Sequence, residues 1–446
     1  MSRSLRRVAA SALAAFGLLA LAITFWSIGG TSLSARDDNP RRFFNEQHIQ
    51  RGTILDRHDQ VLAQSVAISG TYVRRYPVIN AAPAVGYYSL NYGLAGIEEA
   101  QDALLRGPYD FADSLMHRPR LGGDVRLTLD LDVQRDLAQR LTQHGGAVVV
   151  SLSDGAVLAM ESHPAFDPNT LDRDWKQLSI DPAAPLLNRV TQGLYQPGSI
   201  LQTVLLAEAI ERHQISLTET LTQPDRPVAL DQLVLDCSQA GSVQTIVDAY
   251  THGCPAPFAD LGLTWGETEL ISVTQQWQLT TPPVLDIRTS AAPTLTLALT
   301  TTDALQAYAT GQGELTVSPL HMVLVASTIG TGGLWPPLHL VEATRRSPND
   351  QWLPDTPSAA PKRLISPRTA QTVLAMMTTN DGVAGHSGVA LSGNKRLAWF
   401  IGLAPADRPR YAIAVLLEQS PEDTVNSAEF IGRETLKTLL ALSPNR

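Results

Sequence analysis

The chain has 446 residues, 44% hydrophobic and 17% charged, enough apolar material for one large domain and a smaller one. Its net charge of -9 is dispersed, with no basic patch, which excludes a nucleic-acid interface. The ten histidines are scattered and no Cys-x-x-Cys occurs, so nothing has metal-ligand spacing and no cofactor is expected.

Arg3, Arg6 and Arg7 precede an uncharged apolar run, 8–28, long enough to cross a bilayer. With those arginines inside, 1–7 is a cytoplasmic tail, 8–28 a single-pass anchor and 29–44 a linker, and the rest lies outside the cell. A signal peptide cut within Ser32-Leu33-Ser34-Ala35 is the competing reading, although the apolar run is long for that role. In the stretch 51–63, two apolar runs flank His58-Asp59-Gln60, which predicts a hairpin. Residues 45–122 form a small membrane-proximal pedestal, and 123–446 one larger α/β unit. Within it, 124–130 alternates as a strand and 131–141 has helical spacing. Strands at 146–150 and 156–160 flank the turn Ser153-Asp154-Gly155, and 399–405 and 411–417 are the last two strands. In an oxidising compartment Cys237 and Cys254 read either as a disulfide or as two buried thiols.

The stretch with chemistry is Tyr195-Gln196-Pro197-Gly198-Ser199-Ile200-Leu201-Gln202. A Pro-Gly turn leading into an apolar helical run places the Ser199 hydroxyl in the first turn of a buried helix. There unpaired N–H groups and the positive end of the dipole favour developing negative charge. Gln202, three residues on, shares a face with Ser199. Taken alone, a serine after Pro-Gly reads as a helix N-cap.

The same stretch resembles the Tyr-x-Pro-Gly-Ser-x-x-Lys signature of penicillin-binding protein transpeptidases, with Gln202 where that family has its lysine base. The resemblance continues elsewhere. The 51–63 stretch resembles the Arg-Gly-x-Ile-x-Asp-Arg box of the class B members, and Tyr76-Pro77 and Gly96-Ile97-Glu98 match its Tyr-Pro and Gly-Ile-Glu elements. Phe166-Asp167-Pro168-Asn169, Leu187-Asn188-Arg189 and Gly311-Gln312-Gly313 follow in the family's order. It implies an α/β (α+β) fold of the penicillin-binding and serine β-lactamase type on an anchor and pedestal. It also implies two further motifs. The Ser-x-Asn motif falls on Gly253, Cys254 and Pro255, so both functional side chains are missing. A neighbouring Thr251 or His252 is the available substitute. The Lys-Thr-Gly motif falls on His386, Ser387 and Gly388, which puts the oxyanion hole at the N–H groups of Ser199 and Val389. Leu391-Ser392-Gly393 is a second-ranked match for that motif. Without the resemblance, His386 between glycines reads as an exposed loop residue. The segment before it, 376–385, is short for the family.

In the family a neutral lysine deprotonates the serine, which attacks a D-Ala-D-Ala peptide or a β-lactam. A carboxamide at position 202 has no titratable base. The expectation is a membrane-anchored, extracytoplasmic pseudo-transpeptidase, a scaffold or muropeptide-binding module among the membrane proteins of cell-wall synthesis, with stem peptides or β-lactams as candidate ligands. The alternative is an active serine D,D-transpeptidase in which a distant group, His386 first, activates Ser199. A ligand sensor signalling through the anchor is the third reading.

Overall fold

The computed structural model describes residues 3–29, 46–109, 116, 118–231, 233–292, 299–355, 359–393, 395–419 and 427–442. All but the first residue of the expected 29–44 linker lies outside them. Helix α1, Arg3–Gly29, is exposed where its side chains are described, and its stretch Ser4–Trp26 is long and apolar enough to cross a membrane.

The hairpin expected at 51–63 is present as strands β1, Ile54–Leu55, and β2, Val61–Ile68, followed by β3, Thr71–Arg75. Its turn is held by Asp56, whose Oδ1 accepts from the His58 and Gln60 amides at 2.9 and 2.7 Å. Beyond the pedestal come β4, Asp124–Leu127; α2, Leu131–Arg140; β5, Gly145–Ser151; and β6, Val157–His163. The helical part holds α3, Gln202–Glu211; α4, Ile246–His252; α5, Ala256–Gln276; and α6, Pro319–Gly330. Strands β7, Val341–Arg345, β8, Leu353–Pro354, β9, Ala384–Ser392, β10, Lys395–Ala404, and β11, Tyr411–Gln419, precede α7, Ser427–Leu442.

The central sheet has the order β6-β5-β11-β10-β9, antiparallel throughout, which leaves β9 at an edge. Alternation sends Val148, Val150, Trp399 and Ile401 towards the α6 side and Ala147, Val149, Phe400 and Val415 towards α2 and α7. Both faces are covered, so these strands are apolar throughout rather than half polar.

A second sheet, β8-β7-β4-β1-β2-β3, crosses the boundary expected at 122/123: β4, β7 and β8 come from the larger unit, and β4 pairs in parallel with β1. The pedestal is therefore built onto the larger unit rather than beside it. Tyr76 and Asn169 add a reciprocal pair, the Tyr76 amide donating to Asn169 Oδ1 at 2.9 Å and Asn169 Nδ2 to the Tyr76 carbonyl at 3.0 Å. The other matched pedestal residues form one buried cluster. Arg51 Nη2 and Arg74 Nε reach Glu98 at 2.9 and 2.6 Å, and the Tyr76 hydroxyl donates to it at 3.2 Å. Burial pushes the Glu98 carboxyl up, but the Arg74 and Arg51 guanidiniums outweigh it and hold the group below its ordinary value.

Candidate active site

Gly198–Leu201 is a short 3-10 turn running into α3, with Ser199 buried. Gly198 has φ +56°, and a Cβ there would lie 2.1 Å from the Val389 carbonyl oxygen. Across the contact, a Cβ on Gly388 would lie 2.5 Å from the Ile200 nitrogen. Two glycines thus let the nucleophile turn sit directly on edge strand β9. The Gly-Gln-Gly segment secures the same place: the Gly198 amide donates to the Gly311 carbonyl at 2.9 Å, and Gln312 Oε1 accepts from the Leu391 amide at 3.1 Å.

The result is a serine hydroxyl facing a backbone donor. The Val389 N–H donates to Ser199 Oγ at 3.0 Å. Val389 carries the N–H that the resemblance assigns to the oxyanion hole, and here that N–H is engaged by the resting Ser199 hydroxyl.

Gln202 is fully buried, and its Nε2 donates to the Cys254 carbonyl at 3.0 Å. Its Oε1 is buried without a hydrogen-bond partner. The side chain that stands where the base is expected is therefore a fixed bridge from the nucleophile helix to the second motif.

In that motif, Gly253 ends α4 in the left-handed region at φ 64°, and Pro255 is the N-cap residue of α5. Cys254 between them is bonded to Cys237. The segment after Cys237 lies close: the Ser238 amide donates to the Gly253 carbonyl at 3.4 Å, and Gln239 to that of His252 at 3.0 Å. Both available substitutes are engaged locally. The Thr251 hydroxyl donates to the Val247 carbonyl at 2.9 Å, and His252 Nδ1 lies 2.8 Å from the Asp248 carbonyl, both within their own helix.

His386 is buried within β9, which corrects the exposed-loop reading. Its ring stacks on Tyr250 with centroids 4.1 Å apart, and its Nε2 lies 3.4 Å from the backbone carbonyl of Ser199. Desolvation is the largest influence on the imidazole and lowers its pKa to about 4, against the hydrogen bond at Ser199 and the charge of Glu429. At neutral pH it is uncharged, unlike a lysine, and its contact with Ser199 is to the carbonyl. Ser387, expected to retain the motif's hydroxyl, points to the other face, where its Oγ donates to Glu429 Oε2 at 2.8 Å on α7. Strand alternation is the reason: 386 and 388 share a face and 387 does not. Ser392 of the second-ranked match is the last residue of β9 and lines a surface pocket with Tyr195 and Gln196.

Tyr250 is the site residue that sequence reasoning missed. Its hydroxyl pairs with Thr203 Oγ1 at 3.0 Å, so it spans from α3 to the imidazole. An aromatic three residues before Gly253 was the signal, but only its partner across the chain gives it a role.

A family model described as the penicillin-binding protein transpeptidase domain matches residues 145–437. A second, the penicillin-binding protein A dimerisation domain, matches 51–119. The chain belongs to the penicillin-binding protein transpeptidase family. The peptidoglycan D,D-transpeptidase PbpA of Mycolicibacterium smegmatis is 31% identical over 99% of both chains. PbpA of Mycobacterium tuberculosis is 28% identical over 95% of each. The imipenem acyl-enzyme complex of penicillin-binding protein A from M. tuberculosis superposes with a TM-score of 0.79 at 27% identity, covering 89% of this chain and 99% of that one. The mixed α/β fold is thus that of the penicillin-binding proteins.

Proposed function

We propose that this family member does not acylate its serine and works as a binding scaffold in peptidoglycan synthesis, anchored by α1 with its main domain outside the cell. The observation that carries this is the Gln202 carboxamide fixed on the Cys254 carbonyl, a group without a titratable base at the position where the family has its lysine. General-base assistance is worth about 10²–10⁴-fold, and more where base and nucleophile act as a unit. Gly253 and Pro255 supply no polar side chain for proton relay or substrate holding. What remains, the Val389 and Ser199 N–H groups, suits a carbonyl oxygen held without covalent attack. Its partners would then be membrane proteins of cell-wall synthesis met through the anchor and pedestal, with stem peptides as ligands.

One observation favours the second reading, an active D,D-transpeptidase: the Ser199 hydroxyl is already in register with the Val389 donor at 3.0 Å. A fluorescent penicillin separates the two. Full-length protein in detergent is incubated with the reagent and run on a denaturing gel. No covalent label is expected on the wild type; label that vanishes in Ser199→Ala establishes an active nucleophile and overturns the scaffold reading. Gln202→Lys alone is expected to leave labelling weak, because the second motif is also missing.

A further inference from the structure

A row of aromatic rings runs from the seam between the pedestal and the larger unit out to the surface. Phe166 and Tyr87 line the cavity where the two units meet. Tyr87 meets Phe166 edge to face with centroids 5.9 Å apart and Trp175 in the same manner at 6.4 Å. Trp175 in turn stacks on Tyr92 at 4.3 Å, 9° from parallel. The row ends at Tyr92, which is 39% exposed. Trp175 covers one face of that ring, so the face open to solvent is the other.

Tyr92 is held in place by a polar scaffold. It lies in the turn between the paired strands Tyr87–Ser89 and Gly93–Ala95. There the buried Ser89 hydroxyl accepts from the Asn91 and Tyr92 amides at 3.1 and 3.0 Å and donates to Asp172 Oδ1. Asp172 belongs to the helix Leu171–Leu178, which also carries Trp175. Three residues apart, the two side chains share a helix face, and a carboxylate therefore stands beside the stack. Asp172 is exposed, and no protein donor among the described residues meets its Oδ2. At the cavity mouth the paired Arg288 and Glu99 offer a further donor and acceptor.

An open ring face beside a carboxylate matches the two sides of a pyranose. The electron-rich face of an aromatic ring attracts polarised C–H bonds, while a carboxylate accepts from hydroxyls. Sugars with equatorial hydroxyls and linkages keep axial C–H bonds free for such a ring. An organic cation fits less well, because a cage for one needs several open ring faces, and Arg173 and Lys176 flank Trp175 on its helix. A turn already fixed by Ser89 loses little further freedom on binding, which favours even a small contact.

We propose that the open face of Tyr92, with Asp172 beside it, binds an oligosaccharide of equatorially linked pyranoses, one sugar on the ring and the chain running along the aromatic row towards the cavity mouth. The ligand class is thus glycan rather than stem peptide. None of these residues belongs to the three motifs around Ser199, so the site does not depend on whether that serine is reactive.

Chitotetraose is the probe, titrated into full-length protein in a detergent without a sugar headgroup and followed by saturation-transfer NMR and calorimetry, with tetraalanine as the peptide comparator. Saturable millimolar or tighter binding of chitotetraose is expected, with saturation strongest at its ring C–H protons, and none of tetraalanine. Tyr92→Ala should bind about tenfold more weakly, whereas Tyr92→Phe, which keeps the ring, should bind as wild type does. Asp172→Asn keeps an oxygen for Ser89 but loses the charge, and should also bind about tenfold more weakly. No chitotetraose binding by folded wild type, equal binding of tetraalanine, or undiminished binding in Tyr92→Ala overturns the proposal. The probe comparison on wild type decides the matter should a variant fail to fold, and the penicillin label on Ser199 reads out separately from both.

Discussion

Tyr250 and His386 stack at 4.1 Å, 16° from parallel, and so join the helical wall of the cleft to its edge strand. The stack occupies the space between the second and third motifs, where the family resemblance implies a serine hydroxyl and a lysine. Tyr250→Ala should cost about 3–5 kcal/mol through the cavity it leaves, while Tyr250→Phe, losing only the hydrogen bond to Thr203, should cost about 1 kcal/mol. With less burial, the His386 pKa should rise from about 4 towards its ordinary 6.5 in the alanine variant. Because the folded value is depressed, the wild type loses stability as pH falls from 6.5 towards 4, and that loss should shrink in Tyr250→Ala. Urea unfolding against pH and an imidazole NMR titration measure both; an unmoved His386 titration would contradict the role given to the tyrosine ring.

Glu98 is the keystone of the pedestal. Its removal in Glu98→Ala leaves Arg74 buried without its anion and Arg51 with Asp102 alone, and about 3–5 kcal/mol of stability should go with it. The folded carboxyl titrates below 4.5, so its contribution is present above that pH and is lost as pH falls through the folded value. Acid unfolding followed by circular dichroism should show the wild type's acid-side fall weakened in the variant.

Glu161 behaves in the opposite sense. It is buried in β6 with Gln134 Nε2 donating to Oε2 at 2.8 Å, and desolvation lifts its pKa to about 8, outweighing that hydrogen bond. A raised carboxyl pKa gives full stability below 4.5 and a decline as pH rises from there to about 8. Glu161→Gln should therefore stabilise the protein at pH 8 by on the order of 3 kcal/mol and leave it nearly unchanged at pH 4.5. Equal effects at the two pH values would refute the buried-acid assignment.

The Cys237–Cys254 bond closes a 17-residue separation around α4. Replacing both cysteines by serine should lower stability by about 3 kcal/mol. Amide exchange should quicken at Ser238 and Gln239, whose N–H groups bond to the turn, and stay slow at Val389. Unchanged protection at Ser238 would mean that packing alone holds the segment after Cys237.

Much of the architecture was legible in order along the chain. The β1–β2 hairpin, the strands β5, β6, β10 and β11 and the nucleophile turn follow from local periodicity and turn residues. Local patterning did not reveal that β4 and β7 complete the pedestal sheet, because strand pairing between residues such as Val125 and Thr344 is a long-range contact. For the same reason the sheet that spans 122/123 was not legible from local pattern.

What the sequence determined by itself is chemical: a carboxamide at 202, and glycine and proline at 253 and 255, mean that those three positions supply neither a lysine base nor a serine relay, since side-chain identity sets which protons can move there. Tertiary structure alone decided where the remaining groups face. It aimed Ser387 at Glu429 and His386 at Tyr250, joined the two cysteines, and turned Gln202 into a tie to Cys254. Direction and burial depend on strand register and on partners far along the chain, and neither is encoded at the position itself.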